Sequence, residues 1–517
     1  MIRRLTLKDV GPIRELLLSF ASRVNVFTGN NGLGKTFILD VLWWVLTTTW
    51  AGEKVFPWRS PEVDALDKWQ TSDDIGSGRG DGSGRGDGGV SAADVDPGIE
   101  AILTAREAQA LAPDELVVRG AWRWESQEWV RTPWAHDRKT AGHVIAPGLL
   151  DEARLSPQSL VIYARIDGSY AVWDACFTQG GLDSFAEAAL VLSSTEIWDG
   201  KEESDPQVAG GKRTVIGGLI ADWVSWQQRG RSAEFEALRR VLHALSSPDE
   251  PLVPGAPTRV HLRDRRDIPT LATSFGVVPV TLASAGIRRA LALAYLIVWA
   301  WTEHLQAAKQ RRQRPTQDVV LLIDEPELHL HPAWQRVFLP AVLRAMGMIA
   351  PNVAVQLFTA THSPMVLASL ESVFRDELDR LYVLERDGRS ICANEQTFGK
   401  EGDVSNWLAS EVFGGVGGRS REAELAIDAA MDFMAAREPA AERNLAALSE
   451  RLRELPRSEP PLSSLDDPST TEEHSDAARP LVERVHDALK RTLPGHDAFW
   501  IQWILTWDRR SDPSVDP

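Results

Sequence analysis

Two stretches of this sequence carry residue types at spacings suited to phosphate chemistry. The first is Gly29-Asn30-Asn31-Gly32-Leu33-Gly34-Lys35-Thr36, a GxxxxGKT run. Glycines at these intervals let a tight loop aim its backbone N–H groups around phosphate oxygens, and a helix starting at its end adds positive potential. Lys35 would then reach the β- and γ-phosphates of a nucleotide, and the Thr36 hydroxyl would ligate Mg²⁺. A chance glycine-rich turn is the bland alternative; an apolar strand before the run and an apolar helix after it argue against that. The second stretch is Leu321-Leu322-Ile323-Asp324-Glu325-Pro326-Glu327. Here an apolar strand ends in adjacent carboxylates, where open α/β sheets bind ligands. Asp324 fits the acid associated with Mg²⁺, and Glu325 the base that orients and polarises an attacking water. Either acid alone would read as a helix cap or a surface charge; as a pair in the same chain as the glycine loop, they read as chemistry.

Two further segments refine the picture. Thr281-Leu282-Ala283-Ser284-Ala285-Gly286-Ile287 precedes a long apolar helix, which Ser284 can cap while offering its hydroxyl, and Gly286 permits close backbone approach. Alone, this is a capping turn. Between the glycine loop and the acid pair it resembles the signature motif of ABC ATPases, which grips the γ-phosphate of ATP held by the opposite subunit, although it departs from the common LSGGQ form. Thr359-Ala360-Thr361-His362-Ser363-Pro364 follows the apolar AVQLF, and His362 resembles the switch histidine that contacts the γ-phosphate and the catalytic water in the same ATPases. His329 and His331, in ELHLHP, fall where those ATPases place the loop that crosses a dimer interface. A paired-histidine metal site is the alternative there, but no third ligand suggests itself.

These residues need a parallel sheet to position them. RRLTLKDVG, RELLLSF and RVNVFTG read as strands, the last stopping at Gly29. FILDVLWWVLTTTWA is apolar around its whole circumference, which marks a buried helix. DVVLLID is apolar on both faces, as a strand covered by helices on either side must be. GIRRALALAYLIVWAWTEHLQAAKQ and HPAWQRVFLPAVLRAMG read as helices, and LYVLERDGRSICA as a hairpin turning at Asp387-Gly388. Residues 101–254 mix strands (ELVVRGAWRWES, SLVIYARI, SYAVWDA) with helices (IADWVSWQQ, AEFEALRRVLHAL) and show no heptad repeat, so a compact insertion is expected and not a coiled coil. Residues 76–89, GSGRGDGSGRGDGG, cannot bury apolar surface and are expected to form a flexible loop in which the RGD triplets are incidental.

Composition sets the outer bounds. At 517 residues the chain exceeds what one core normally serves. No apolar run spans a membrane, and Met1–Gly11 lacks the apolar core of a secretory signal, so a cytoplasmic location is expected. Cys176 and Cys392 lack metal-ligand spacing and read as packing residues in a reducing compartment. A net charge of −17 argues against coating nucleic acid through the whole surface, leaving local patches such as Arg263, Arg265 and Arg266, or Lys309, Arg311, Arg312 and Arg314, as candidates that most simply are solvated faces. The 20 tryptophans, several clustered as at Trp223 and Trp226, read as core and not as base-stacking platforms.

Together, GNNGLGKT, TLASAGIRR, VVLLIDEPELHLHP and ATHSP resemble the bacterial ATPases related to RecF, SMC and OLD proteins, over roughly residues 1–46 and 278–393. Among relatives with compact insertions the chain looks most like ATPase subunits of anti-phage systems such as Septu, PARIS and Gabija. The resemblance implies an α/β fold: a discontinuous P-loop ABC-type ATPase head from residues 1–50 and 255–400, a compact α/β insertion at 51–254, and a helical C-terminal region at 401–517 with a linker at 457–476. It implies ATP and Mg²⁺ as cofactors, ATP hydrolysis, and a homodimer or higher even oligomer formed through ATP-sandwiched heads. A separate effector protein, such as a nuclease, and DNA contact are further implications; a RecF-like DNA-repair ATPase and an OLD-like nuclease stay open as alternatives. OLD-type nuclease domains need a Glu near a strand and a later Asp-x-Asp; Glu385 could be the first, but no Asp-x-Asp follows on an apolar strand. No Q-loop glutamine can be placed convincingly, Gln70 being a weak candidate.

Overall fold

A computed structural model describes residues 1–57, 97–104, 115–135 (except 124, 125 and 127), 159–177, 188–204, 211–247, 251–273, 276–388 and 390–415. The chain opens with β1 (Ile2–Val10), β2 (Ile13–Ser19) and β3 (Val24–Gly29), then helix α1 (Lys35–Thr47). Strands β4 (Gly98–Thr104), β5 (Glu115–Arg123) and β6 (Glu128–Ala135) extend from β1, giving an antiparallel sheet of order β2-β1-β4-β5-β6. Next come β7 (Ser159–Ala164), β8 (Tyr170–Asp174), β9 (Ala189–Leu192), α2 (Ser194–Asp199) and the hairpin β10 (Lys201–Ser204) with β11 (Lys212–Ile216). Helices α3 (Leu219–Gln228) and α4 (Ala233–Leu245) lead to five short strands, β12 (Val253–Pro254), β13 (Thr258–Arg259), β14 (Asp267–Ile268), β15 (Thr270–Thr273) and β16 (Gly276–Pro279). The long helix α5 (Ala285–Gln310) precedes β17 (Asp318–Asp324), α6 (Pro332–Gln335), α7 (Phe338–Ile349), β18 (Ala354–Ala360), α8 (Pro364–Leu370), β19 (Asp379–Asp387), β20 (Ser390–Gln396) and α9 (Val404–Ala409).

The central sheet has eight strands in the order β20-β19-β3-β18-β17-β7-β8-β9. Its middle five, β19, β3, β18, β17 and β7, run parallel, and antiparallel strands flank them. Alternating side chains of β17 explain why it reads as continuously apolar. Val319, Leu321 and Ile323 enter one core with α3, α4, α5 and α7, while Val320 and Leu322 enter the other with α1. That second core also holds Leu5, Leu7, Ile99 and Val118 of the antiparallel sheet, so α1 is clamped between two sheets. Its all-round apolar surface, with Trp43 and Trp44 fully covered, follows from that place.

The two sheets run across the 51–254 segment, and one expected helix is interrupted. Strands β4–β6 pair outward from β1, and β7 pairs in parallel with β17, so residues of this segment enter both sheets. Every residue of β7 is buried, as its place inside a parallel sheet requires, but its pairing partner lies far away in sequence. The expected single helix HPAWQRVFLPAVLRAMG breaks at Arg336–Val337 into α6 and α7. Pro340 lacks the N–H that a helix interior needs, and restarting at Phe338 puts it in the first turn, where none is required. The chain divides into two units, Met1–Phe413 and Gly414–Pro517. The glycine-rich stretch 76–89, Gln70, the linker 457–476 and the C-terminal region beyond Gly415 lie outside the described residues. No described helix is long and apolar enough to cross a membrane.

Candidate functional site

The phosphate loop hangs between β3 and α1. Gly32 and Gly34 both have φ +78, a region where side-chain-bearing residues are strained, and a Cβ at Gly32 would meet nothing within 4 Å, so the cradle is open. Gly29 is held differently: a Cβ there would lie 2.3 Å from the Leu384 carbonyl of the neighbouring β19. Asn30 and Asn31 are exposed, whereas Leu33 packs on the core beside α1. Lys35 Nζ donates to the carbonyls of Gly29 and Asn30, both at 2.9 Å. Burial pushes the Lys35 ammonium down to about 8, against the pull of Glu325 and Asp324.

Thr36 and Asp324 meet although they come from opposite ends of the head. Thr36 Oγ1 donates to Asp324 Oδ2 at 2.8 Å. Asp324 is fully buried, and its Oδ1 has no hydrogen-bond partner among the described residues. Burial raises its carboxyl to about 6, opposed by the Thr36 hydrogen bond and the Arg289 charge. A buried carboxylate oxygen left unpaired beside a threonine hydroxyl fits a hard cation such as Mg²⁺, which takes oxygen ligands. One helical turn beyond Thr36, Asp40 accepts a 3.1 Å hydrogen bond from the Tyr163 hydroxyl at the end of β7. Burial lifts Asp40 to about 6 as well.

The turn after β17 shapes the rest of the cluster. Glu325 sits at φ +49 with its N–H donating to the Ala360 carbonyl at 2.9 Å, which fixes the acid against the end of β18. Glu327 ties down the histidine loop: its carboxylate accepts from Thr361 Oγ1 at 2.8 Å and from the His362 backbone N–H at 2.7 Å. His362 Nε2 then lies 3.2 Å from Glu325 Oε1. Burial, then the negative charge of Glu327, pushes Glu325 up to about 8. Burial and Lys35 hold His362 below its usual value, so its ring is neutral at pH 7. A carboxyl tuned near neutrality beside a neutral imidazole is suited to accept a proton from water.

The structure thus gathers Lys35, Thr36, Asp324, Glu325 and His362 at the C-terminal ends of the parallel strands β3, β17 and β18. Ser284 and Gly286 lie at the start of α5. Ser284 is exposed and caps α5, accepting from the Ile287 N–H at 3.3 Å. Gly286 is buried beneath the chain at His329. His331 caps α6, and His329 is bent to φ +64. Among the described residues the one cluster of three His, Cys, Asp or Glu side chains close enough to share a metal is Asp174, Cys176 and His304, which includes neither of these histidines. Its hydrogen bonds favour a structural role. The Thr316 N–H donates to His304 Nε2 at 2.8 Å, so Nδ1 carries the proton it shares with Asp174 at 2.9 Å. Burial, then Asp174, pushes the Cys176 thiol up to about 12, so it stays protonated and is a poor ligand.

The sequence reading missed roles for Glu327, Asp40 and Arg289. Asp40 could have been found from its four-residue offset to Thr36 on a helix; nothing local signals Arg289, whose partners are backbone carbonyls. Glu385 lies on β19, where its Oε2 accepts from Asn394 at 2.8 Å across the hairpin.

A parallel sheet whose strand ends carry GxxxxGKT, an acid pair and a histidine loop has a P-loop fold of the ABC ATPase type. Sequence profiles agree: an AAA ATPase domain matches residues 268–367 and an AAA domain matches residues 4–56. The chain is 30% identical over 94 residues to the retron Ec83 probable ATPase of Escherichia coli, a match covering 18% of this chain and 14% of that protein. Similar solved structures include the SMC head domain from Thermotoga maritima, 13% identical over 77% of this chain and 99% of that one, with a TM-score of 0.32. The recombination mediator protein RecF with ATP is 10% identical, covers 77% of this chain and 97% of its own, and gives a TM-score of 0.31.

Proposed function

We propose that this chain binds and hydrolyses ATP between two copies of itself and couples hydrolysis to a separate effector protein, in anti-phage defence. The observation that carries the ATPase reading is the Thr36–Asp324 contact with the unpaired Asp324 Oδ1, set beside Glu325 and His362. In this reading Lys35 and the loop N–H groups hold the β- and γ-phosphates, and Thr36 and Asp324 hold Mg²⁺, which neutralises phosphate charge when bound. Glu325 takes the proton of the attacking water, and His362 beside it orients that water. Ser284, exposed at the start of α5, completes the γ-phosphate held by a second copy. The dimer is therefore stabilised by ATP and released by hydrolysis. The likeness to a retron's probable ATPase, with the resemblance to anti-phage ATPase subunits, supports the effector-linked role.

Light scattering with and without ATP tests the reading. Glu325→Gln should bind ATP, form a lasting dimer and lose about 10²–10⁴-fold in phosphate release, the usual worth of a general base. Lys35→Ala should neither bind ATP nor dimerise. A Glu325→Gln protein that stays monomeric with saturating ATP would end the sandwich reading.

A further inference from the structure

Helix α5 is fastened at its start by two contacts that the roles above leave unused. At Gly286 a Cβ would come within 2.5 Å of the His329 carbonyl and 3.3 Å of Leu330 Cα, so the chain after the acid pair lies directly on the helix backbone. Just under one turn further on, Arg289 Nη2 donates to the Asp324 carbonyl at 2.8 Å, with the Glu325 carbonyl at 3.3 Å and the Arg165 carbonyl at 3.4 Å. One guanidinium nitrogen therefore gathers the ends of β17 and β7. Glu325 and His329, at either end of the fastened segment, both hold left-handed backbone conformations that non-glycine residues keep only when their surroundings enforce them. The exposed Ser284 and the base-bearing turn are thus joined through α5 by a short, half-buried connection.

We propose that Arg289 is a positioning residue that makes the start of α5 and the Asp324–Leu330 segment one mechanical unit, so that seating α5 on a phosphate held by a second copy sets Glu325 of the same chain for its own nucleotide. This rests on the ATP-sandwich reading above. Arginine suits the task because its planar, permanently charged fork can serve several carbonyls at once, which a lysine ammonium does with less geometric constraint. The consequence is that the two nucleotide sites of a dimer do not work independently.

The test uses full-length Arg289→Ala and Arg289→Lys. Titration with a fluorescent ATP analogue gives binding, light scattering gives the ATP-dependent dimer, and phosphate release gives kcat and KM. In Arg289→Ala, kcat should fall about 100-fold, the cost of roughly an ångström of misplacement. KM and ATP-dependent dimerisation should stay within about twofold, and Arg289→Lys should recover part of kcat. A merely structural arginine would weaken binding, dimerisation and kcat together, and that outcome overturns the proposal. So does a kcat within about threefold of wild type. A second arm uses mixed dimers in which one protomer carries Ser284→Arg. Independent sites would retain about half the activity and refute the coupling; coupled sites would retain less than about a tenth. A wild-type chain that hydrolyses ATP without dimerising would instead remove the sandwich reading, and this proposal with it.

Discussion

Glu327→Gln separates charge from tethering at the acid pair. Glu327 does two things to the cluster. It accepts hydrogen bonds from Thr361 and His362, and its charge helps push Glu325 up to about 8. Glutamine keeps an oxygen for the hydrogen bonds and removes the charge. If the base must be ionised in the free enzyme, at pH 7 only about a tenth of Glu325 is ready in wild type, from a pKa of about 8. Removing a like charge this close should lower that value by about one unit, or about 1.4 kcal/mol of differential interaction. The ratio of variant to wild-type kcat/KM should then be about tenfold at pH 6, about fivefold at pH 7 and about one at pH 9. The ratio is read on the acid side, because the Glu327 charge also helps to hold the Lys35 proton, which wild type loses near pH 8. Phosphate-release kinetics below saturation, run from pH 6 to 9, measure it. A ratio that stays below one and flat across that range would refute the electrostatic reasoning and leave Glu327 as a tether alone.

Two further outcomes follow from buried groups. Asp40 titrates at about 6 in the fold against an ordinary 3.8, so its neutral form favours folding; that contribution is complete below pH 4 and is lost as pH rises through 6. Asp40→Asn should therefore match wild type in unfolding free energy from urea titration at pH 4 and exceed it at pH 8 by about 1–2 kcal/mol, discounted for partial exposure. Equal free energies at pH 8 would contradict this. His304→Ala removes a buried hydrogen-bond partner from both the Asp174 carboxylate and the Thr316 N–H and should cost about 2 kcal/mol in thermal or urea unfolding. A chelator should leave the wild-type melting temperature unchanged at this cluster, and a drop on chelation confined to proteins that keep His304 would restore the metal reading.

Local chemistry was the readable part. Glycine spacing located the phosphate loop, and a run of apolar residues ending in Asp324-Glu325 located the second half of the cluster, because both signals are contained in a few consecutive residues. Ser284 was readable as a cap for the same reason. What could not be read depends on register between distant strands. Nothing in SLVIYA says that it will lie beside DVVLLID, a pairing that only the folded sheet reveals. Arg289 escaped because it binds carbonyl oxygens, which every residue has, and only the pairing of β17 with β7 decides which carbonyls converge. Pro340 did signal where α7 begins, but the apolar periodicity across Pro332–Met348 concealed it.

Strand β3 lies between β18 and β19, both made from the last part of the head, and Gly29 fits only against the Leu384 carbonyl. During synthesis, Val24–Gly29 therefore leaves the ribosome with both edges open and waits on the order of half a minute for its neighbours. Throughout that interval the nascent chain offers an apolar strand to any passing edge, which makes it a natural client for chaperones. A premature stop ahead of Asp379 would yield a fragment prone to aggregate, and no smaller enzyme.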